Sequence, residues 1–251
     1  MKLKESTTLS WSFFESYNQC PLKFYHKYIL GEKEPSNMFA LYGSAMHALL
    51  EHIYTEKKFD SKYGYFKWPI ILQKEYKTQW KQYQYGHIPQ KEVDQMKFVG
   101  FKHLKNFYNL AIKEDILREP LFIEEKLNGV YGGLKITGRL DIGFRTKLGV
   151  TLLDWKTGSE DLDSLRQLVL YALLYEQNFN QKIDAVGLAY LKLPKLIIEP
   201  LNKGLISKTG GYLKGIYNAI LEDNEFKPKK NAYCKTCHLY RNKCNVGGVN
   251  G

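Results

Sequence analysis

The four cysteines of this 251-residue chain are distributed as three and one. Cys234, Cys237 and Cys244 form C-x₂-C-x₆-C near the C-terminus, and Cys20 stands near the opposite end. Thiolates at such spacing suit a metal centre. A centre drawing on all four would fasten the two ends of the chain, so any fold built between them has to bring residue 20 to residue 234. Zinc and iron–sulfur sites both take thiolates, and His238 beside Cys237 leaves a mixed Cys/His zinc site open. One ligand lies more than two hundred residues from the others, whereas small zinc modules draw on two nearby pairs, and this favours iron–sulfur.

The N-terminal run MKLKESTTLSWSFF lacks the apolar core and small-residue cleavage site of a signal peptide. No stretch approaches the roughly 20 apolar residues that span a bilayer. A cytoplasmic protein is therefore expected, with its thiols on metal rather than in disulfides; in a secreted one, four cysteines would allow three pairings. A hydrophobic content of 44% supports a substantial core, most simply as a single domain, residues 1–251, with an insertion. The formal charge of +11 attracts nucleic acid or anionic membranes. Lysine outnumbers arginine, which favours diffuse phosphate contacts over base reading. A coding bias towards lysine on a solvated surface would give the same composition.

Periodicity divides the chain into a helical first half and a strand-bearing second half. Residues 9–31 read as an aromatic-rich helical segment, in which Pro21 starts a new helix and Gly31 stops it. A second helix is expected from about Ala40 to Lys57, with His47 and Glu51 on one face. Lysine- and aromatic-rich helical sequence fills 62–118 and reads as an insertion, about 55–120. Its stripe of Phe98, Phe101, Leu104 and Phe107 suits packing better than base stacking. Strands are expected over 122–131, 133–145 and 149–156, then a helix at 161–179, a strand at 185–193, the apolar run LIIEPL and a late helix near 210–222. This order implies an α/β core with a small mixed sheet.

GRLDIG (138–143) and LLDWKTG (152–158) carry the chemistry. Alternation puts Asp141 on the polar face of its strand, and Asp154 and Lys156 on an otherwise apolar face. Such a charged pair is costly unless partnered by one another, a metal or a substrate. A buried Asp154–Lys156 salt bridge with Asp141 as a strand-end residue would satisfy it. So would a phosphodiester-cleaving site, in which two carboxylates hold Mg²⁺ and a lysine two residues on orients water or stabilises the pentavalent phosphorus. All three on adjacent strands favour the site.

D-(spacer)-D-x-K on consecutive strands resembles the PD-(D/E)XK nuclease superfamily, and GRLDIG…LLDWKTG resembles its RecB-like branch. QLVLY matches that branch's Q-x-x-x-Y at Gln167 and Tyr171, and GSAMH (43–47) matches its G-x-x-x-H. The S-W-S…CP segment (10–21) and the cysteine cluster are similar to its iron–sulfur members, among them CRISPR-associated exonucleases and the nuclease modules of helicase–nuclease machines. The resemblance implies a restriction-endonuclease-like α/β core: a small mixed sheet flanked by helices, a helical insertion and a C-terminal cysteine segment. It implies Asp141, Asp154, His47 and the carbonyl of Trp155 as ligands of Mg²⁺ or Mn²⁺. Lys156 would be the catalytic lysine, with Gln167 and Tyr171 bracing the site or contacting DNA. Glu124 or Glu125 would add a further acidic group, with no choice between them. For His47, a simple interaction with Glu51 along the helix is the alternative to metal binding.

It further implies a [4Fe–4S] cluster on Cys20, Cys234, Cys237 and Cys244, structural in role. The expected activity is hydrolysis of DNA, as an exonuclease on single-stranded or frayed ends. A helicase or recombination protein is the partner this implies; no helicase P-loop occurs in the chain, so unwinding would need another one. Endonuclease or flap cutting, or a non-catalytic DNA-binding or partner-recruiting protein with a zinc or iron–sulfur clamp, are the competing readings.

Overall fold

The computed structural model describes residues 8–35, 38–56, 89–161, 163–240 and 243–244. The first part of the expected insertion, 57–88, lies outside the described residues, as does the tail after Cys244. In chain order the elements are β1 (Leu9–Ser10), α1 (Trp11–Gln19), α2 (Pro21–Phe24), a π-helical turn (Tyr25–Ile29), α3 (Met38–Thr55) and α4 (Gln90–Lys113). There follow β2 (Phe122–Ile123), β3 (Lys126–Tyr131), β4 (Leu134–Arg139), β5 (Ile142–Thr146) and β6 (Gly149–Lys156). The chain continues through α5 (Ser164–Phe179), β7 (Ala185–Tyr190), β8 (Lys195–Pro200) and α6 (Lys203–Glu222).

These elements group into two compact units. The first takes the described parts of 1–35, 128–138 and 203–251, and the second those of 36–127 and 139–202. In the first unit Pro21 occupies the opening turn of α2, where a missing N–H is harmless, and Cys20 is its N-cap. α1 buries Trp11, Phe13 and Phe14. Phe13 meets Phe24 edge-on at 4.8 Å, and Phe24 stacks on Phe226 at 6.1 Å. Both chain ends contribute to this unit, and polar contacts join them. The Lys229 ammonium donates to the carbonyl of Asn18 at 2.9 Å, Asn231 Nδ2 donates to that of Gln19 at 2.9 Å, and the Tyr17 hydroxyl donates to Asp223 at 2.8 Å.

The second unit is built on a five-stranded mixed sheet in the order β2-β5-β6-β7-β8. β6 pairs antiparallel with β5 and parallel with β7. The parallel pair requires a crossover, and α5 supplies it, packing against β6 and β7. α3 and α4 cover Ile142, Phe144, Leu153 and Trp155 with Met46, Leu49, Leu50, Ile53, Leu104, Phe107 and Leu110. The Trp155 ring is the hub of that layer. Tyr54 stacks on it at 6.1 Å and Phe107 meets it edge-on at 5.5 Å. Leu104 and Phe107 of the aromatic stripe are thus packing residues, as expected, whereas Phe98 is 76% exposed.

Two expected strands prove to be broken. Residues 122–131 divide into β2 and β3 because Glu124, between them, takes a left-handed backbone with φ of 51°. Residues 133–145 divide into β4 and β5 at Leu140–Asp141. The two breaks face each other. Glu124 N–H donates to the Asp141 carbonyl at 2.9 Å, and Leu140 N–H donates to the Glu125 carbonyl at 2.9 Å. Alternation in sequence cannot show the second break, since Ile136, Leu140, Ile142 and Phe144 keep their period through it, whereas at the first the buried positions Phe122 and Leu127 fall out of step. The fold remains the expected mixed α/β architecture with small mixed sheets flanked by helices, consistent with a restriction-endonuclease-like core.

Candidate active site

β5 and β6 pair Ile142 with Leu153. Continued by one residue, this register sets Asp141 opposite Asp154, so the two carboxylates share a face at one end of the sheet. The break before β5 leaves Asp141 at the strand's mouth, where its Oδ2 accepts the Trp155 amide at 2.9 Å. Trp155 thereby has two duties: its ring anchors the core, and its backbone aims Asp141. Asp154 is 7% exposed and lies on the face of β6 opposite Trp155. Lys156 follows two residues later on the same face, its ammonium 2.8 Å from Asp154 Oδ2.

His47 enters from α3. Its Nδ1 stands 3.2 Å from Asp141 Oδ2. Glu51, one turn along the helix, turns instead to Arg139, with 3.8 Å between Oε1 and Nη2. His47 therefore looks into the acidic site. Burial alone would lower its pKa, but the Asp141 and Asp154 carboxylates overcome this and lift it to about 9. Burial, then repulsion from Asp141, raises the pKa of Asp154, with Lys156 and His47 opposing. A divalent cation would relieve the repulsion that Asp154 meets from Asp141.

Of Glu124 and Glu125, it is Glu124 that lies with His47 and Asp141. His47, Glu124 and Asp141 each bring a ligand atom within 4.8 Å of the others, the one such grouping of three among the described residues. Burial and then Asp141 raise Glu124 to about 7, against the pull of Arg139, whose Nε lies 2.6 Å from Glu124 Oε2. Glu125 instead adds its charge beside Tyr175. No strand periodicity could make this distinction, because the left-handed turn at 124 resets which side chain faces the site.

α5 carries the remaining pair. Gln167 Nε2 donates to the Tyr171 hydroxyl at 3.1 Å, as residues four apart on a helix can. The Tyr171 pKa is raised by burial, and the Asp154 and Asp141 charges also bear on it. Carboxylate oxygens with one imidazole form a ligand set that fits a divalent cation.

The cysteines lie in the first unit and take no part in this site. All four are free thiols of intermediate burial, and among the described residues they do not close to the 4.8 Å spacing of the His47 set. The Asn231 amide donates to Cys234 Sγ at 3.2 Å, and the Cys237 amide closes a turn onto the Cys234 carbonyl at 3.1 Å. Both contacts fold the chain closely around Cys234.

The sequence profile of the PD-(D/E)XK nuclease superfamily matches residues 8–245. The chain belongs to that superfamily. A solved structure from Eubacterium rectale, provisionally named an exonuclease, superposes with a TM-score of 0.56 at 12% identity, covering 97% of this chain and 94% of that one. At that identity it is the fold that is shared. The structure of SSO0001 aligns over 87% of this chain and 92% of its own, at 17% identity and a TM-score of 0.32. No curated protein matches the chain. No helix among the described residues is long and apolar enough to cross a membrane.

Proposed function

We propose that this chain is a single nuclease domain that hydrolyses DNA as a Mg²⁺- or Mn²⁺-dependent exonuclease on single-stranded or frayed ends, with a structural [4Fe–4S] cluster on its four cysteines. The observation that carries the reading is the convergence of Asp141, Asp154, Lys156 and His47 from three elements at one end of one sheet. His47, Asp141, Asp154 and the Trp155 carbonyl, joined by Glu124, would hold the cation. Once bound there, it would lower the pKa of water and neutralise charge on the phosphate.

The remaining steps belong to the protein's own side chains. The Lys156 ammonium, held beside Asp154, orients the attacking water or faces the developing charge on phosphorus. Tyr171 and Gln167, tied to each other, brace the α5 side of the site. Superfamily membership makes DNA the expected substrate, and the +11 charge favours a polyanion, so binding should weaken steeply with salt. A helicase or recombination protein is the proposed partner, and the cytoplasm the proposed location.

The test is cleavage of 5′- and 3′-end-labelled single-stranded DNA by anaerobically purified protein in Mn²⁺, beside Asp154→Ala. The expected outcome is shortening from one labelled end, reduced about 10²-fold or more in the variant. Equal activity in the two proteins, or none in either despite DNA binding, would overturn the nuclease assignment for this site.

A further inference from the structure

Glu124 occupies a costly position. A left-handed backbone at a non-glycine residue, here with φ of 51°, is unfavourable and persists only where the surroundings over-determine it. The two hydrogen bonds between the 124–125 and 140–141 segments fix the main chain. What fixes the side chain is Arg139. Its Nε meets Glu124 Oε2 at 2.6 Å, while its Nη2 reaches towards Glu51 Oε1 at 3.8 Å. Glu51 lies one turn beyond His47 on α3, and Arg139 lies two residues before Asp141. One guanidinium thus ties the helix that carries His47 to the turn that carries Glu124, at the foot of the segment that carries Asp141. The contact with Glu124 is at hydrogen-bond distance and that with Glu51 a longer ion pair, and the guanidinium spans both from one rigid plane.

We propose that Arg139 is a positioning residue for the metal site. It holds the Glu124 carboxylate in the ligand set formed with His47 and Asp141, and so sets the affinity of the site for its divalent cation. This rests on the reading of the cluster as a metal site. It predicts a specific division of effects. Arg139 touches neither Asp154 nor Lys156 in the contacts described, so its removal should weaken cation binding far more than it slows turnover once the cation is saturating.

The experiment measures Mn²⁺ binding directly, by calorimetry and by the loss of the free-Mn²⁺ electron paramagnetic resonance signal, and the Mn²⁺ concentration giving half-maximal cleavage. The proteins are wild type, Arg139→Gln, Arg139→Lys, Glu124→Gln, the Arg139→Gln/Glu124→Gln double variant and Asp154→Ala. Arg139→Gln should weaken Mn²⁺ binding about tenfold, with kcat at saturating Mn²⁺ falling no more than about threefold. Arg139→Lys should recover part of the affinity. The double variant should be no weaker than Glu124→Gln, since two residues acting through one contact are not additive.

Unchanged affinity in Arg139→Gln, or full additivity in the double variant, would overturn the role of Arg139 while leaving the metal site standing. Wild-type Mn²⁺ binding in Asp154→Ala would remove the site itself, and this inference with it. If Arg139→Gln melts early, Arg139→Lys and Glu124→Gln carry the same comparison at conserved charge or shape.

Discussion

At the scale of single residues, the placement of Gly143 shows how tightly the site is backed. A Cβ built there would lie 2.0 Å from Phe122 Cζ, and Phe122 in turn packs on Tyr175 with ring centroids 4.5 Å apart. The Phe122 ring has no room to retreat, so Gly143→Ala should displace β2, the strand that leads directly into Glu124. The expected result is a loss of about 1–3 kcal/mol in denaturant unfolding, with weakened Mn²⁺ binding. Stability and binding equal to wild type would mean the ring repacks freely. At this scale the D-x-K spacing on a strand already put Asp154 and Lys156 on one face, where the structure has them 2.8 Å apart. Sequence alone could not choose Glu124, because its partnership with Asp141 is made by two chain breaks, nor could it see Arg139 as more than a polar-face residue.

At the scale of elements, helices were legible where apolar residues recur at their period, and their ends were not. α3 was expected over about 40–57 and runs Met38–Thr55; the late helix was expected near 210–222 and begins at Lys203. The aromatic stripe on α4 was correctly assigned to packing at Leu104 and Phe107, both at most 1% exposed. Phe107 supports the Trp155 ring, whose backbone amide in turn holds Asp141. Phe107→Ala should therefore cost about 3–5 kcal/mol in urea unfolding. A cost below about 1 kcal/mol would show that α4 is not integral to this core. The interrupted strands were missed for a different reason. At Leu140–Asp141 the buried alternation runs on through the break, and at Glu124 a single residue of positive φ shifts the period over too short a run to be read from sequence.

At the scale of the whole molecule, a metal centre on all four cysteines would need the chain ends to meet, and the first unit does join residues 18–19 to residues 229–231. The division into two units was not legible, because residues 128–138 pass from one to the other within one hairpin. A link between residue 20 and the C-terminal cysteines would remove about 5 kcal/mol of unfolded-chain entropy, part of which the existing contacts already secure. Cys20→Ala should thus lower the Tm by several degrees and abolish iron retention, with kcat at matched folded protein largely kept. Iron loss without any fall in Tm would remove the structural role of the cluster.

The paired breaks at Glu124–Glu125 and Leu140–Asp141 have a consequence for how such a protein can diversify. They zip shut the base of the β3–β4 excursion, whose far end turns through Gly132 and Gly133 at φ of 56° and 81°. Two acidic groups remote in sequence are thereby held together regardless of how much chain is looped out between them. The excursion can lengthen, shorten or acquire new side chains at its tip while the acidic groups at its root keep their spacing. Lineages built on this plan would drift fastest in the very interval that separates Glu124 from Asp141, and a fixed-spacing motif drawn through both would fail to find them.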